Sequence, residues 1–255
     1  MSFAQSMIKS VLYRMGYSVK KLRAPQQRVV EAAGRDALPP DALMSALHQV
    51  NPYEDFAYAD YEMDARGWGS DSPAFAQFVK EAEQLSLVVE VGTWKGGSAL
   101  QLGKALSESH PGARILCIDT WLGALEFWTD QKDPNRFGGL GLKYGYPTVY
   151  YQFLANVCHA GLQDRVIPFP QTSATAALWL RSHGVRSELI YIDGSHEEED
   201  VYQDLNDYWE VLAPGGVIFG DDYTWDGVRL AVQRFSREKS LEIEFREDKW
   251  SLNHA

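Results

Sequence analysis

Cysteine is almost absent. Cys117 inside an apolar run and Cys158 in a predicted helix are the only two in 255 residues, which gives no disulfide framework and no metal-ligand spacing. A reducing cytoplasm fits that usage. No run of about eighteen apolar residues occurs, so nothing is predicted to span a membrane. Positive charge is also short. There are 24 Lys and Arg against 35 Asp and Glu, and the formal charge of −11 argues against nucleic acid as a general partner, because phosphate binding needs a basic face. Internal repeats and low-complexity tracts are missing as well. What remains is a chain long enough for one α/β domain with a full core and an N-terminal extension.

The charge is unevenly spread. Residues 1–28 hold six basic side chains (Lys9, Arg14, Lys20, Lys21, Arg23, Arg28) and no acid, leaving 18 basic against 35 acidic residues beyond them. Phe3, Met7, Ile8, Val11, Leu12 and Met15 recur at helical spacing with Lys9 and Arg14 opposite, which predicts a short basic amphipathic helix. It is no signal peptide, since Lys9 and Arg14 interrupt any apolar core and no small-residue cleavage site follows. Such a helix packs on its own domain, on a second subunit of a homo-oligomer, or weakly on an anionic membrane surface. The expected location is therefore cytoplasmic, and in the last case peripheral to the inner face of a membrane. A helix is predicted over 40–50, followed by an irregular, aromatic-rich stretch through Gly67-Trp68-Gly69 that either covers a site or packs on the domain. Residues 1–72 are read as the extension and 73–255 as the main domain.

From residue 73 the pattern is regular. Strands are expected at 87–91, 114–119, 164–169, 189–192, 217–219, 241–245 and 249–253, with helices at 73–85, 98–108, 151–159, 174–182 and 225–235 among them. One more helix carries Val201, Leu205, Tyr208, Trp209 and Leu212 on a single stripe, with Ser195 and Glu198 as a capping box and Pro214-Gly215-Gly216 as its end. The alternation predicts a Rossmann-like, doubly wound, mostly parallel seven-stranded sheet with helices on both faces and an antiparallel C-terminal strand.

Two places carry chemistry. In Glu90-Val-Gly92-Thr93-Trp94-Lys-Gly96-Gly97-Ser98 a buried strand breaks into glycines and then a helix, whose free N–H groups suit a carboxylate or hydroxyl. Asp119 ends the next strand, where a carboxylate can accept ribose hydroxyls. The spacing G-x-x-x-G-G is not the dinucleotide fingerprint, and no Lys-Ser/Thr pair makes it a P-loop. The second place is acidic: Asp193 ends one apolar run, and Asp221 and Asp222 end another. Three converging carboxylates repel one another unless a cation or protons intervene, and oxygen-only ligands suit a hard ion such as Mg²⁺ or Ca²⁺. The alternative is that one or two of them cap helices or bind substrate hydroxyls. Between the two places lies a Gly-rich passage, 120–147, too long for a simple loop; it reads either as a lid or as an oligomer contact, and Trp121 within it could lie against adenine.

Glu90-x-Gly92 with Asp119 resembles the class I methyltransferases that use S-adenosylmethionine. The resemblance implies that Gly92, Thr93, Trp94, Gly96, Gly97 and Ser98 approach the amino acid moiety, that Asp119, Thr120 and Trp121 lie at the ribose and adenine, and that Gln171-Thr172-Ser173 contacts adenine. Asp193-Gly-Ser-His196 with Asp221-Asp222-Tyr223 is similar to the metal-dependent sugar O-methyltransferases of the macrocin type. There the matching aspartates bind Mg²⁺ and the histidine is the base, so the resemblance implies Asp193, Asp221 and Asp222 as metal ligands, Asp193 also beside the cofactor, and His196 as catalytic base with Lys95 in reserve. Catechol O-methyltransferases share the arrangement but carry a lysine three residues after the first aspartate and an asparagine as third ligand; this chain has neither. The activity implied is Mg²⁺-dependent O-methylation of a small-molecule or glycan acceptor, a sugar ahead of a catechol-like phenol. A hydroxylase-type relative and a non-catalytic cofactor-binding module are the other classes, although the two-histidine, one-carboxylate triad of the former is absent.

Overall fold

The structure, a computed structural model, describes residues 37–254; the basic helix expected within 1–28 lies outside them. At the centre of the sheet is β1 (Leu87–Val91), buried along its whole length. An unbroken apolar run is what a parallel strand covered on both faces requires. Parallel to it run β2 (Arg114–Asp119) and β3 (Val166–Pro170) on one side and β4 (Ser187–Ile192) and β5 (Leu212–Gly220) on the other. A C-terminal pair completes the sheet: β6 (Glu244–Arg246) and β7 (Lys249–Asn253), with β7 antiparallel to β5 and β6 on the edge. The order is β3-β2-β1-β4-β5-β7-β6, so the connection reverses between β1 and β4. Ligands bind beyond the carboxyl ends of the strands at such a switch point. The fold class expected from the sequence is the one found.

Alternation along the strands sorts two cores. Leu87, Val89 and Val91 face α1 (Leu43–Leu47), α6 (Ser173–Ser182), α7 (Glu198–Trp209) and α8 (Asp226–Lys239), whereas Val88 faces α2 (Ala74–Glu81), α3 (Gly97–Ser109) and α5 (Val149–His159). A short α4 (Leu125–Thr129) interrupts the Gly-rich passage and buries Phe127. None of the helices among the described residues is long and apolar enough to cross a membrane.

Two local expectations are corrected. The helix after β4 starts at Glu198, behind an extended Glu197 with no side-chain cap, and not at Ser195. Ser195 instead accepts the Glu197 N–H at 3.2 Å and donates to Asp200 at 2.9 Å, which keeps 193–197 out of the helix and at the strand ends. That helix ends at Trp209, and Pro214-Gly215-Gly216 belong to β5. Pairing jumps from Ser187 with Leu212 to Leu189 with Val217, so the Pro-Gly-Gly stretch bulges against β4, where a missing N–H is harmless, while Gly215 and Gly216 pair with His254 on the other side.

Candidate active site

Glycine is required first at position 92. Gly92 has φ of 84°, and a Cβ there would sit 2.1 Å from the Asp193 carbonyl oxygen. The end of β1 and the end of β4 therefore touch backbone to backbone. Beyond it Asp119 organises the loop. Its Oδ2 accepts the N–H groups of Thr93 at 2.9 Å and Trp94 at 2.8 Å, and its Oδ1 accepts that of Trp121 at 2.7 Å. Burial pushes the carboxyl up while those backbone donors hold it down. The carboxylate is thus fixed at the end of β2 by backbone donors from the glycine loop and from the residues that follow the strand.

The other expected cofactor residues divide into loop surface and support. Glu90 is fully buried, bonded by Ser98 and, at 3.5 Å, by the Cys117 thiol, and burial raises its carboxyl to about 8. Glu90 and Ser98 thus brace the loop from beneath. Trp121 is buried too: its indole N–H donates to the Trp94 carbonyl at 2.7 Å and its ring lies against Tyr150 and Phe153, both at 4.9 Å between centroids. In this arrangement the ring offers no face to adenine. Thr120 is exposed, Gly96 ends the loop at φ of 87° as the N-cap of α3, and Gly97 follows it. On the neighbouring strand Gln171 gives its N–H to the Asp119 carbonyl at 3.1 Å, Thr172 caps α6, and Ser173 bonds Asp204, whose carboxyl burial raises to about 7. Lys95, the reserve base, is tied to Asp64 at 2.7 Å.

Asp193, Ser195, His196, Asp221 and Asp222 line one small pocket. A larger surface cavity lies along the outer face of α3, lined by Leu100, Lys104 and Leu162, and of the expected ligands only Gly97 borders it. Asp193 accepts the Tyr191 hydroxyl at 3.0 Å, and burial, then the charges of Asp221 and Asp222, push it well above the carboxylate range. His196 lies between two carboxylates, with Nε2 2.8 Å from Asp222 and Nδ1 3.2 Å from Glu126 of α4, and its ring stacks on Trp225 at 4.4 Å. The Asp222 hydrogen bond raises its pKa against the opposing effect of burial, and Glu126 adds to the rise. Trp94, Trp121 and Asp222 all hold positive φ without being glycine, one at each of three strand ends; such strain collects where surrounding structure fixes a site.

The acids do not form an open cation cage. Asp221 Oδ2 is 2.6 Å from the ammonium of Lys249, its Oδ1 accepts the Asp222 N–H at 2.8 Å, and the other two aspartates face Tyr191 and His196. Among the described residues no group of three or more His, Cys, Asp or Glu is placed to hold a metal ion. The three carboxylates, as arranged, do not fit the expected divalent ion. Sequence reasoning missed Lys249, Glu126 and Trp225. Nothing local to Lys249 marks it, because the antiparallel pairing of β7 on β5 is what brings it to Asp221.

A family described as a methyltransferase domain matches residues 89–223. The chain belongs to that family. The match begins inside β1 and stops just after Asp222, so it takes in the glycine loop and all three aspartates and leaves out Lys249. This methyltransferase is 26% identical over 217 residues to the 8-demethyl-8-(2,3-dimethoxy-alpha-L-rhamnosyl)-tetracenomycin-C 4'-O-methyltransferase of Streptomyces olivaceus, covering 76% of this chain and 80% of that one. Its fold is shared with the O-methyltransferase NovP, at a TM-score of 0.51 and 18% identity over 71% of this chain and 78% of that one. It is shared also with TomG from Streptomyces achromogenes, solved with S-adenosylmethionine, at 0.50 and 15% identity over the whole of both chains. The resemblance to class I methyltransferases read from the glycine loop and Asp119 is upheld.

Proposed function

We propose that this methyltransferase uses S-adenosylmethionine to methylate a hydroxyl, with a sugar on a natural product as the leading acceptor. The observation that carries the reading is His196, held by Asp222 beside the strand ends where the glycine loop approaches Asp193. The sugar acceptor is supported by the Streptomyces olivaceus relative, which its name describes as acting on a rhamnosyl compound. Gly92, Thr93, Trp94, Gly96 and Gly97 take the amino acid end of the donor, Asp119 takes a ribose hydroxyl, and Gln171, Thr172 and Ser173 border the adenine. The division into an extension, 1–72, and a methyltransferase domain, 73–255, belongs to the same reading.

Methyl transfer is an in-line displacement in which the acceptor oxygen bonds the methyl carbon and the sulfonium sulfur leaves with its electron pair. Positioning supplies much of the acceleration. The hydroxyl proton goes to His196: with Nε2–H directed at Asp222, Nδ1 is the nitrogen left to receive it, and the acceptor hydroxyl takes the place Glu126 occupies there. No step of this reading runs through a divalent cation. Calorimetry with S-adenosylhomocysteine, followed by tritiated methyl transfer across a panel of glycosides and phenols, tests it. Heat of binding with transfer to glycosides is expected; absence of nucleoside binding would sink the reading.

A further inference from the structure

Lys249 is the first residue of β7, and its side chain has no solvent exposure. An ammonium carries three N–H donors, and here three acceptors meet it: Asp221 Oδ2 at 2.6 Å, Asp248 Oδ2 at 2.6 Å and the Gly69 carbonyl at 3.2 Å. The cradle is built around it. Ser72 bonds Asp248, and the ring of Phe75 lies 5.5 Å below the ammonium. Gly69 approaches so closely that a Cβ there would fall 2.2 Å from Asp221 Oδ2.

The charge on Asp221 is thus balanced without any added ion. A buried charge persists when it is paired and hydrogen-bonded, and Lys249 is both. A divalent ion on Asp221 would have to share an oxygen with a fixed positive charge, and both oxygens of that carboxylate already have protein donors. We propose that Lys249 is the resident cation of the acidic site, taking on Asp221 the role that the sequence resemblance gives to a divalent metal, so that the enzyme neither binds nor needs one there. The binding half of this stands apart from the methyl-transfer reading, and only the turnover half rests on it.

The full-length protein, stripped of metal, is titrated with Mn²⁺ and followed by electron paramagnetic resonance. The wild type is expected to show no saturable site up to about 1 mM, above the roughly 10 μM at which sensor-type divalent sites fill. Lys249→Met, checked for folding by circular dichroism, is expected to gain saturable Mn²⁺ binding that a further Asp221→Asn change removes, and Lys249→Arg is expected to stay silent. Methyl transfer by the wild type is expected to persist in excess chelator. One equivalent of Mn²⁺ bound by the wild type and lost in Asp221→Asn overturns the proposal, as does turnover abolished by chelator and restored by Mg²⁺. Should Lys249→Met fail to fold, the wild-type titration decides alone.

Discussion

Glu90 and His196 are two titratable groups held away from their ordinary behaviour by opposite means. Glu90 is displaced by burial, to about 8 from an ordinary 4.5, so the folded state keeps a proton that the unfolded chain releases. The folded state therefore binds more protons between those values, and the contribution of Glu90 to stability is fully present below about 4.5 and is lost as pH rises to about 8. In Glu90→Gln the decline, which amounts to roughly a few kcal/mol in the wild type, is expected to flatten when denaturant unfolding is measured from pH 5 to 9. His196 is displaced upward chiefly by the Asp222 hydrogen bond, with Glu126 contributing. A base must be neutral to act, so kcat/KM is expected to rise with pH through a value above the ordinary 6.5 of histidine. Replacing Glu126 by Gln removes one carboxylate and moves that rising limb to lower pH; an unmoved limb would assign the proton to another group. Loss of the imidazole in His196→Ala lowers turnover by about 10² to 10⁴ while nucleoside affinity stays put.

Strand ends carry the site, and the elements that deliver them were unequally legible in the sequence. β1 and β2 lie where expected because each is a mostly apolar buried run, and β7 because its residues alternate polar with apolar, signals that depend only on neighbours in the chain. The acids at 119, 193, 221 and 222 were legible as the polar residues that stop the apolar runs of β2, β4 and β5. The start of α7 was misplaced because Ser195 meets Asp200 and the Glu197 N–H in a geometry that imitates a cap in sequence and prevents one in space. Pro214-Gly215-Gly216 read as a helix stop because nothing local separates that role from a bulge in a strand. The contact of Gly92 with Asp193 is likewise a matter of sheet register, and it makes a sharp prediction. Gly92→Ala forces a Cβ to 2.1 Å from the Asp193 carbonyl at φ of 84°, so β1 and β4 must part at their carboxyl ends. Strain of this kind costs about 1 to 3 kcal/mol before any clash is counted, and the variant is expected to unfold at lower denaturant and to lose affinity for S-adenosylhomocysteine by calorimetry.

Across the whole described chain, three segments distant in sequence close over one set of strand ends. The stretch from Tyr61 to Ser70 is strapped down by α5: buried Asn156 accepts the Asp64 N–H at 2.9 Å and donates to the Asp64 and Lys95 carbonyls at 2.8 Å, Gln152 donates to the Glu62 carbonyl at 2.8 Å, and His159 is 2.7 Å from the Tyr61 carbonyl. The strap carries Gly69 to Asp221 and leaves Trp68 half-exposed, edge-on to Phe127 at 5.7 Å. Phe127 in turn meets Trp94 of the glycine loop at 4.3 Å, and its neighbour Glu126 reaches His196. Of the two readings open to the sequence, cover or packing, the contacts show packing: Phe56 lies against Tyr61 and Tyr151, and Trp68 against Phe127, the neighbour of Glu126. Loosening the strap and removing Trp68 have different consequences. Asn156→Ala deletes four hydrogen bonds, the fourth accepted from Gln152 at 3.0 Å, and is expected to cost about 2 to 4 kcal/mol in unfolding free energy, with faster amide exchange over 61–70. Trp68→Ala leaves the strap tied, so it is expected to raise the acceptor KM by about tenfold, or roughly 1.4 kcal/mol, with S-adenosylhomocysteine affinity and unfolding midpoint unchanged. An acceptor KM equal to that of the wild type would remove Trp68 from the acceptor's surroundings and leave the strap a purely structural element.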